Sequence, residues 1–147
     1  MAKSNIDKFD EITGMLFAKL FSSFPEPVDI RLEDYVPEED IAPLEHIDPW
    51  ILEEARCEFV AHSIRWLIES GYITIFNFNN DGHVFYGVVL TAKGLECLKM
   101  TPDSLRPSAG TQLAAAASSG SMEVLKSVVN QVLGAGISIA MQRVVMS

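Results

Sequence analysis

Between Pro49 and Leu90 the apolar residues change period, and that change constrains the fold more than any other feature of the chain. From Pro49 to Ser70, Ile51, Leu52, Ala55, Phe59, Val60, Ile64, Leu67 and Ile68 recur at the spacing of one helix face. Glu54, Glu58, His62, Arg65 and Glu69 lie toward the other side. Asp48 is placed to cap this helix, Pro49 suits its first position and Gly71 stops it. From Tyr72 to Phe78 the period is two, and β-branched and aromatic residues dominate. Asn79-Asn80-Asp81-Gly82 then supplies a hairpin turn, because Asp-Gly accepts the positive φ angles such a turn needs, and His83 to Leu90 returns as a second strand.

The flanking segments extend this pattern. Phe9, Ile12, Leu16, Leu20 and Phe24 predict a helix over Ile6 to Phe24, with Met15 and Phe17 widening its stripe and Pro25 and Pro27 ending it. Val28, Ile30 and Leu32 alternate with Asp29, Arg31 and Glu33, the pattern of a short half-exposed strand. The stretch Asp34 to Pro49 is acidic and punctuated by prolines, with a short helix expected after Pro37. Thr91 is placed to cap a closing helix, Ala92 to Met100, that turns Leu95 and Leu98 inward.

Helix, strand, short helix, long helix, hairpin, short helix is an α+β order that resembles the winged helix-turn-helix superfamily. Two stretches carry the resemblance. Ile64 to Ile75, IRWLIESGYITI, is similar to the end of a recognition helix running into the first wing strand. Val88 to Leu98, VVLTAKGLECL, is similar to the second wing strand passing into a closing helix. The resemblance covers residues 1–100, about two-thirds of the chain, and implies a winged-helix domain there. It also implies a DNA-reading face at the front of the long helix and the wing, whose contacts here would be Arg56, Arg65, Asn79 and Asn80.

The charge argues against that use of the face. The formal net charge is -9, with 20 acidic side chains against 11 basic ones. Phosphate contacts need Lys and Arg. The front of the long helix instead carries Glu53, Glu54 and Glu58, and the hairpin tip has neither Lys nor Arg. The segment leading in adds Glu33, Asp34, Glu38, Glu39, Asp40, Glu45 and Asp48. These ten acids predict a face that repels nucleic acid and docks a basic protein. A dimeric DNA-binding regulator is the alternative, and a small immunity or antitoxin-like protein that blocks a basic partner is a second.

No motif points to catalysis. His46, His62 and His83 fall in three different elements without metal-site spacing. Cys57 and Cys97 lie inside predicted helices and read as buried reduced thiols. Gly134-Ala135-Gly136 follows a helical pattern and not a strand, so it does not fit a dinucleotide loop. A non-enzymatic protein without metal or cofactor is therefore expected. The opening MAKSNIDKFDEI lacks the apolar core of a signal peptide, so a bacterial-type cytoplasmic protein is expected as well.

The rest of the chain has a different character. Residues 101–121 are small and polar and predict a flexible linker, with helical character around Gln112 to Ala117. Residues 122–147 predict one amphipathic helix of about 25 residues, about 37 Å long at 1.5 Å per residue. Its most apolar part, Val132 to Met141, is too short for a bilayer, which needs about 20 residues. With Lys126 and Arg143 as its basic residues, a membrane surface is not favoured. A face this apolar must be covered, by its own domain, by a second copy or by a partner. Self-association is expected, through Leu125, Val128, Val129, Val132, Leu133, Gly136, Ile137, Ala140 and Val144, since Gly136 and Ala140 permit close helix approach.

Overall fold

Ser4 starts the first helix by accepting a hydrogen bond from the Asp7 amide at 3.1 Å, a side-chain N-cap. The computed structural model describes residues 4–37, 48–79, 82–100 and 107–146, with side chains in the last helix described as far as Gly136. Helix α1 (Asn5–Ser23) buries far more than one stripe: Asp10, Glu11, Ile12, Thr13, Gly14, Leu16, Phe17, Ala18 and Leu20 are all inside. The cause is its position. It packs against the helical end of the chain on one side and against the sheet and the long helix on the other.

The sheet is antiparallel and centred on its longest strand. Strand β1 (Val28–Arg31) pairs with β4 (Val84–Leu90), and β2 (Ile73–Thr74) and β3 (Asn77–Asn79) both pair with β4 as well. The chain is thus a mixed helix and sheet fold of the α+β kind. The first hairpin arm, expected as one strand from Tyr72 to Phe78, is broken at Ile75 and Phe76. Phe76 turns outward there, 88% exposed, and its amide still donates to the Tyr86 carbonyl at 2.9 Å. The first strand also ends earlier than its alternation suggested. Leu32 and Glu33 enter a 3-10 turn, Leu32–Tyr35, because the Leu32 side chain is drawn into the core while its amide donates to the His83 carbonyl. The short helix expected after Pro37 lies outside the described residues, apart from Pro37 and the residues next to Pro49.

Helix α2 (Pro49–Glu69) has Pro at its start and Asp48 at the N-cap position, although the Asp48 side chain makes no capping hydrogen bond. Its buried residues are Cys57, Val60, Ala61, Ser63, Ile64 and Leu67. The apolar residues of its first two turns are not in the core. Trp50 is 69% exposed and Ile51 44%, so the front of this helix projects beyond the body that covers its second half. Thr91 caps α3 (Ala92–Lys99) by accepting from the Gly94 amide at 3.1 Å.

The C-terminal third folds onto this body. In the stretch expected as a linker, residues 109–119 form helix α4 (Ala109–Ser119), capped by Ser108 and buried through Ala109, Gly110, Leu113 and Ala116. Small side chains gave that segment a linker-like composition; here they let α4 lie close against α1. Helix α5 (Met122–Met146) then packs on α1, α3 and α4. Leu125 and Val129 are fully buried, and Val128 and Val132 nearly so. Glycine makes two of these contacts possible. A Cβ on Gly14 of α1 would run into the Leu125 side chain, and one on Gly136 into the Tyr72 ring. The Tyr72 hydroxyl donates to the Leu133 carbonyl at 3.1 Å, which ties α5 to the hairpin.

This arrangement places the described part of the expected self-association surface against the chain's own body. Leu125, Val128, Val129, Val132 and Gly136 are buried within their own chain and Leu133 is half-buried, so a second copy cannot reach them while α5 is docked. The side chains of Ile137, Ala140 and Val144 lie outside the described residues. Among the described residues, no helix is long and apolar enough to cross a membrane.

A polar seam runs along the α1–α5 contact. The Lys126 ammonium sits 3.5 Å from Glu11 and 3.8 Å from Asp7, and the Asn130 amide donates to Asp10 at 3.4 Å. Asp10 and Glu11 are 5% and 3% exposed. Burial pushes the Asp10 carboxyl above its ordinary range, more than the hydrogen bond from Asn130 lowers it.

Candidate functional site

The expected acidic face divides into what the structure places and what it does not describe. Glu33 and Asp34 stand exposed on the 3-10 turn, Asp48 at the head of α2, and Glu53, Glu54 and Glu58 along its front. Glu38, Glu39, Asp40 and Glu45 lie outside the described residues. The described acids come from two elements, yet they share one neighbourhood. The Cys57 thiol is pushed up first by its burial and then by the charges of Glu53, Glu54 and Glu33. The turn that carries Glu33 packs on α2.

A cleft of about 260 Å³ opens beside these acids, between α2 and the β3–β4 turn. Glu54, Glu58, His62 and Arg65 line one wall, at helical spacing along α2. Phe78 of β3 and His83 of the turn line the other, over a floor of Leu32 and Ala61. Arg65 lies over the Phe78 ring, 5.2 Å from its centroid, and Phe78 stacks on the buried Phe85 at 4.4 Å. The ring that holds the guanidinium is thus anchored to the core.

His83 is the least expected member. Its φ is +51°, a left-handed conformation uncommon outside glycine. The Leu32 amide holds its carbonyl at 3.0 Å, and its Nε2 lies 3.5 Å from the Glu54 carboxylate. Three histidines in three separate elements suggested no constellation; the fold nevertheless sets His62 and His83 on one cleft. The stripe Glu54, Glu58, His62 and Arg65 was legible as one helix face, but nothing in residue spacing says where a hairpin tip will land.

Of the residues expected to read DNA, Arg56, Arg65 and Asn79 are described. Arg65 is committed to Phe78, Arg56 is half-buried, and the Asn79 side chain accepts from the Gly82 amide at 3.2 Å within the turn. Asn80 lies outside the described residues.

A second, larger cleft of about 580 Å³ lies between α1, β1, the 3-10 turn and α4. Its walls include Met15, Ala18, Ala114 and Ala117, with Lys19, Asp29, Arg31 and Asp34 around them. Tyr35 also lines it, and burial together with the Asp34 charge pushes its hydroxyl up to about 12, so it stays protonated at any ordinary pH. Arg31 is already paired with Glu33 at 2.8 Å, and Asp29 accepts from the Gly87 amide at 3.1 Å.

Among the described residues, no group of three or more His, Cys, Asp or Glu side chains is gathered as metal ligands. Cys57 and Cys97 are free and buried, and burial raises both thiols. No protein-family model, no curated protein and no solved structure matches the chain.

Proposed function

We propose that this chain is a winged-helix protein-binding module, non-enzymatic, whose acidic face docks a basic protein. The observation that carries the reading is that Glu53, Glu54 and Glu58 stand exposed along α2 while the turn bearing the exposed Glu33 and Asp34 packs against that helix. Two elements distant in sequence present their acids to one region of solvent, at the front of the helix that a DNA-binding winged helix would use for reading. The element order supports the winged-helix part, with β1 paired to β4, the second strand of the hairpin. The exposed Trp50 and Ile51 at the head of α2 add apolar area beside the acids, which suits a protein partner and not a phosphate backbone.

Capture from an extract of the source cell, with the full chain as bait, tests the reading. The expected partner carries a basic surface, dissociates as salt is raised, and is lost on Glu53→Lys together with Glu54→Lys. Duplex DNA is the parallel probe. Retention of DNA by the wild-type chain, abolished by Arg65→Glu, would replace this reading with the DNA-binding one.

A further inference from the structure

We propose that the larger cleft, between β1 and the helices α1 and α4, is a docking groove for an uncharged extended peptide that adds to β1 as a further strand. This site goes beyond the acidic face and does not depend on it. Among the described residues β1 is the outer strand on its side of the sheet, with β4 as its neighbour. Ile30 lies opposite Phe85, and the Leu32 amide donates to the His83 carbonyl. In an antiparallel ladder alternate residues turn their N–H and C=O to the same side, so those of Asp29 and Arg31 point away from β4. Arg31 is the N-cap of the 3-10 turn, which takes up its carbonyl. The Arg31 amide and both backbone groups of Asp29 remain, and among the described residues no backbone group of another element meets them.

Such an edge is a template for another backbone, and what stands beside it decides which. The two residues with free groups, Asp29 and Arg31, both line the cleft. Across from them α1 and α4 contribute Ala18, Ala114 and Ala117, small enough to leave about 580 Å³ beside the strand. A segment matching all four residues of β1 spans about 13 Å at 3.3 Å per residue. The helical wall excludes a second sheet. A copy of this chain paired antiparallel through its own β1 would bring its helices to the side where α1 and α4 already stand. The occupant is therefore a single extended segment. Its side chains follow from the lining. Lys19 and Arg31 are matched by Asp29 and Asp34, so the cleft has no net charge. Arg31 and Asp29 are moreover already held, by Glu33 and by the Gly87 amide. Met15 and the alanines favour β-branched or small apolar side chains at the inward positions. Tyr35, at the turn end, adds a hydroxyl that stays protonated and can donate to a peptide carbonyl.

The test pans the full chain against a phage-displayed library of random linear heptapeptides; a selected peptide is then made with capped ends and titrated by calorimetry. The selected peptides are expected to alternate apolar residues and to carry no net charge. Arg31→Pro removes the free amide, and Arg31 sits at φ -90°, near the proline range, on an outer edge where proline is tolerated. It should weaken binding about tenfold or more, whereas Arg31→Ala, which loses the same side chain and keeps the amide, should bind as wild type does. Ala114→Phe fills the cleft and should abolish binding. Raised salt, or Glu53→Lys with Glu54→Lys, should leave it unchanged. Amide shifts at Asp29, Arg31 and Ala114 on adding peptide locate the site without any substitution. Four results overturn the groove: no peptide selected, equal affinity for Arg31→Pro and Arg31→Ala, shifts confined to other elements, or loss on Glu53→Lys with Glu54→Lys. The last would move the binding to the acidic face. The other three leave that face standing, because its own test is a basic partner released by salt.

Discussion

The carboxylates of α1 and those of α2 share a chemistry and differ in almost everything else. Asp10 and Glu11 are inside the protein and are met by its own tail, through Asn130 and Lys126. Glu53, Glu54 and Glu58 stand in solvent, gathered with Glu33 of another element. A buried carboxylate has to be answered within the chain, because the cost of leaving it without hydrogen bonds or a cation is several kcal/mol. An exposed cluster faces no such demand; its mutual repulsion is a small cost to the fold. The first group therefore explains why the C-terminal helix belongs to the body. The second group has surface partners, Arg31 for Glu33 and His83 for Glu54, but no burial to answer, and that is the reason for reading it as a surface kept for a partner.

The sharpest way to break the comparison is to undo the tail. Leu125 is fully buried against Gly14, and Leu125→Ala should cost about 2–5 kcal/mol of stability in reversible chemical denaturation. A cost below about 1 kcal/mol would mean that α5 is not built into the core. The apolar residues of α5 would then be free to pair with a second copy, and the expectation drawn from sequence would return.

The polar seam gives the next largest effect. Lys126→Met removes the cation 3.5 Å from the buried Glu11 and should cost about 1–3 kcal/mol, less than a fully enclosed pair because Lys126 is itself 20% exposed. Adding Glu11→Gln should recover part of the loss. If the second substitution makes the protein worse, the seam is held by other contacts of Glu11 and not by this pair.

Asp10 predicts a sign. Its carboxyl is raised in the folded chain, first by burial, so the folded state binds the proton more readily than the unfolded state does. Ionised Asp10 is thus a net cost at neutral pH. That cost disappears as pH falls through the raised value and on below the ordinary carboxylate range. Asp10→Asn should therefore be more stable than wild type at neutral pH, and the two should converge as the solution is acidified. A variant less stable at neutral pH would show that the carboxylate is favoured by its Asn130 contact more than it is disfavoured by burial.

How much of this could be read from residues alone follows a physical line. The long helices, the hairpin with its turn, and the Thr91 cap are local: periodicity, Asp-Gly and a threonine at the right offset state them within a few residues. Helix α4 was half-visible, because Ala114 to Ala117 favour a helix while the surrounding serines and glycines weaken the signal. The destination of α5 was not visible. Its apolar face announces that something must cover it, but the cover is Gly14, Tyr72 and α4, and a missing side chain on α1 leaves no periodic trace. The cleft was divided in the same way. Its α2 wall is a stripe in the sequence, and His83 reaches it only because the 3-10 turn captures its carbonyl through Leu32.

The smallest expected effect tests the other half of the comparison. Glu53→Gln with Glu54→Gln should leave stability within about 0.5 kcal/mol of wild type, since both side chains are exposed. It should still register at Cys57. That thiol is raised by burial first, then by Glu53, Glu54 and Glu33, so removing two of the charges should lower the pH at which a small alkylating reagent begins to react with it. The onset should remain above that of an ordinary thiol, because the burial is untouched. Glu26→Gln is the control and should leave the profile in place. An unchanged profile in the double variant would mean that the acids of α2 are too far from Cys57 to be felt there. The face would then be a set of separate surface charges, and the contrast with the buried pair on α1 would lose its functional meaning.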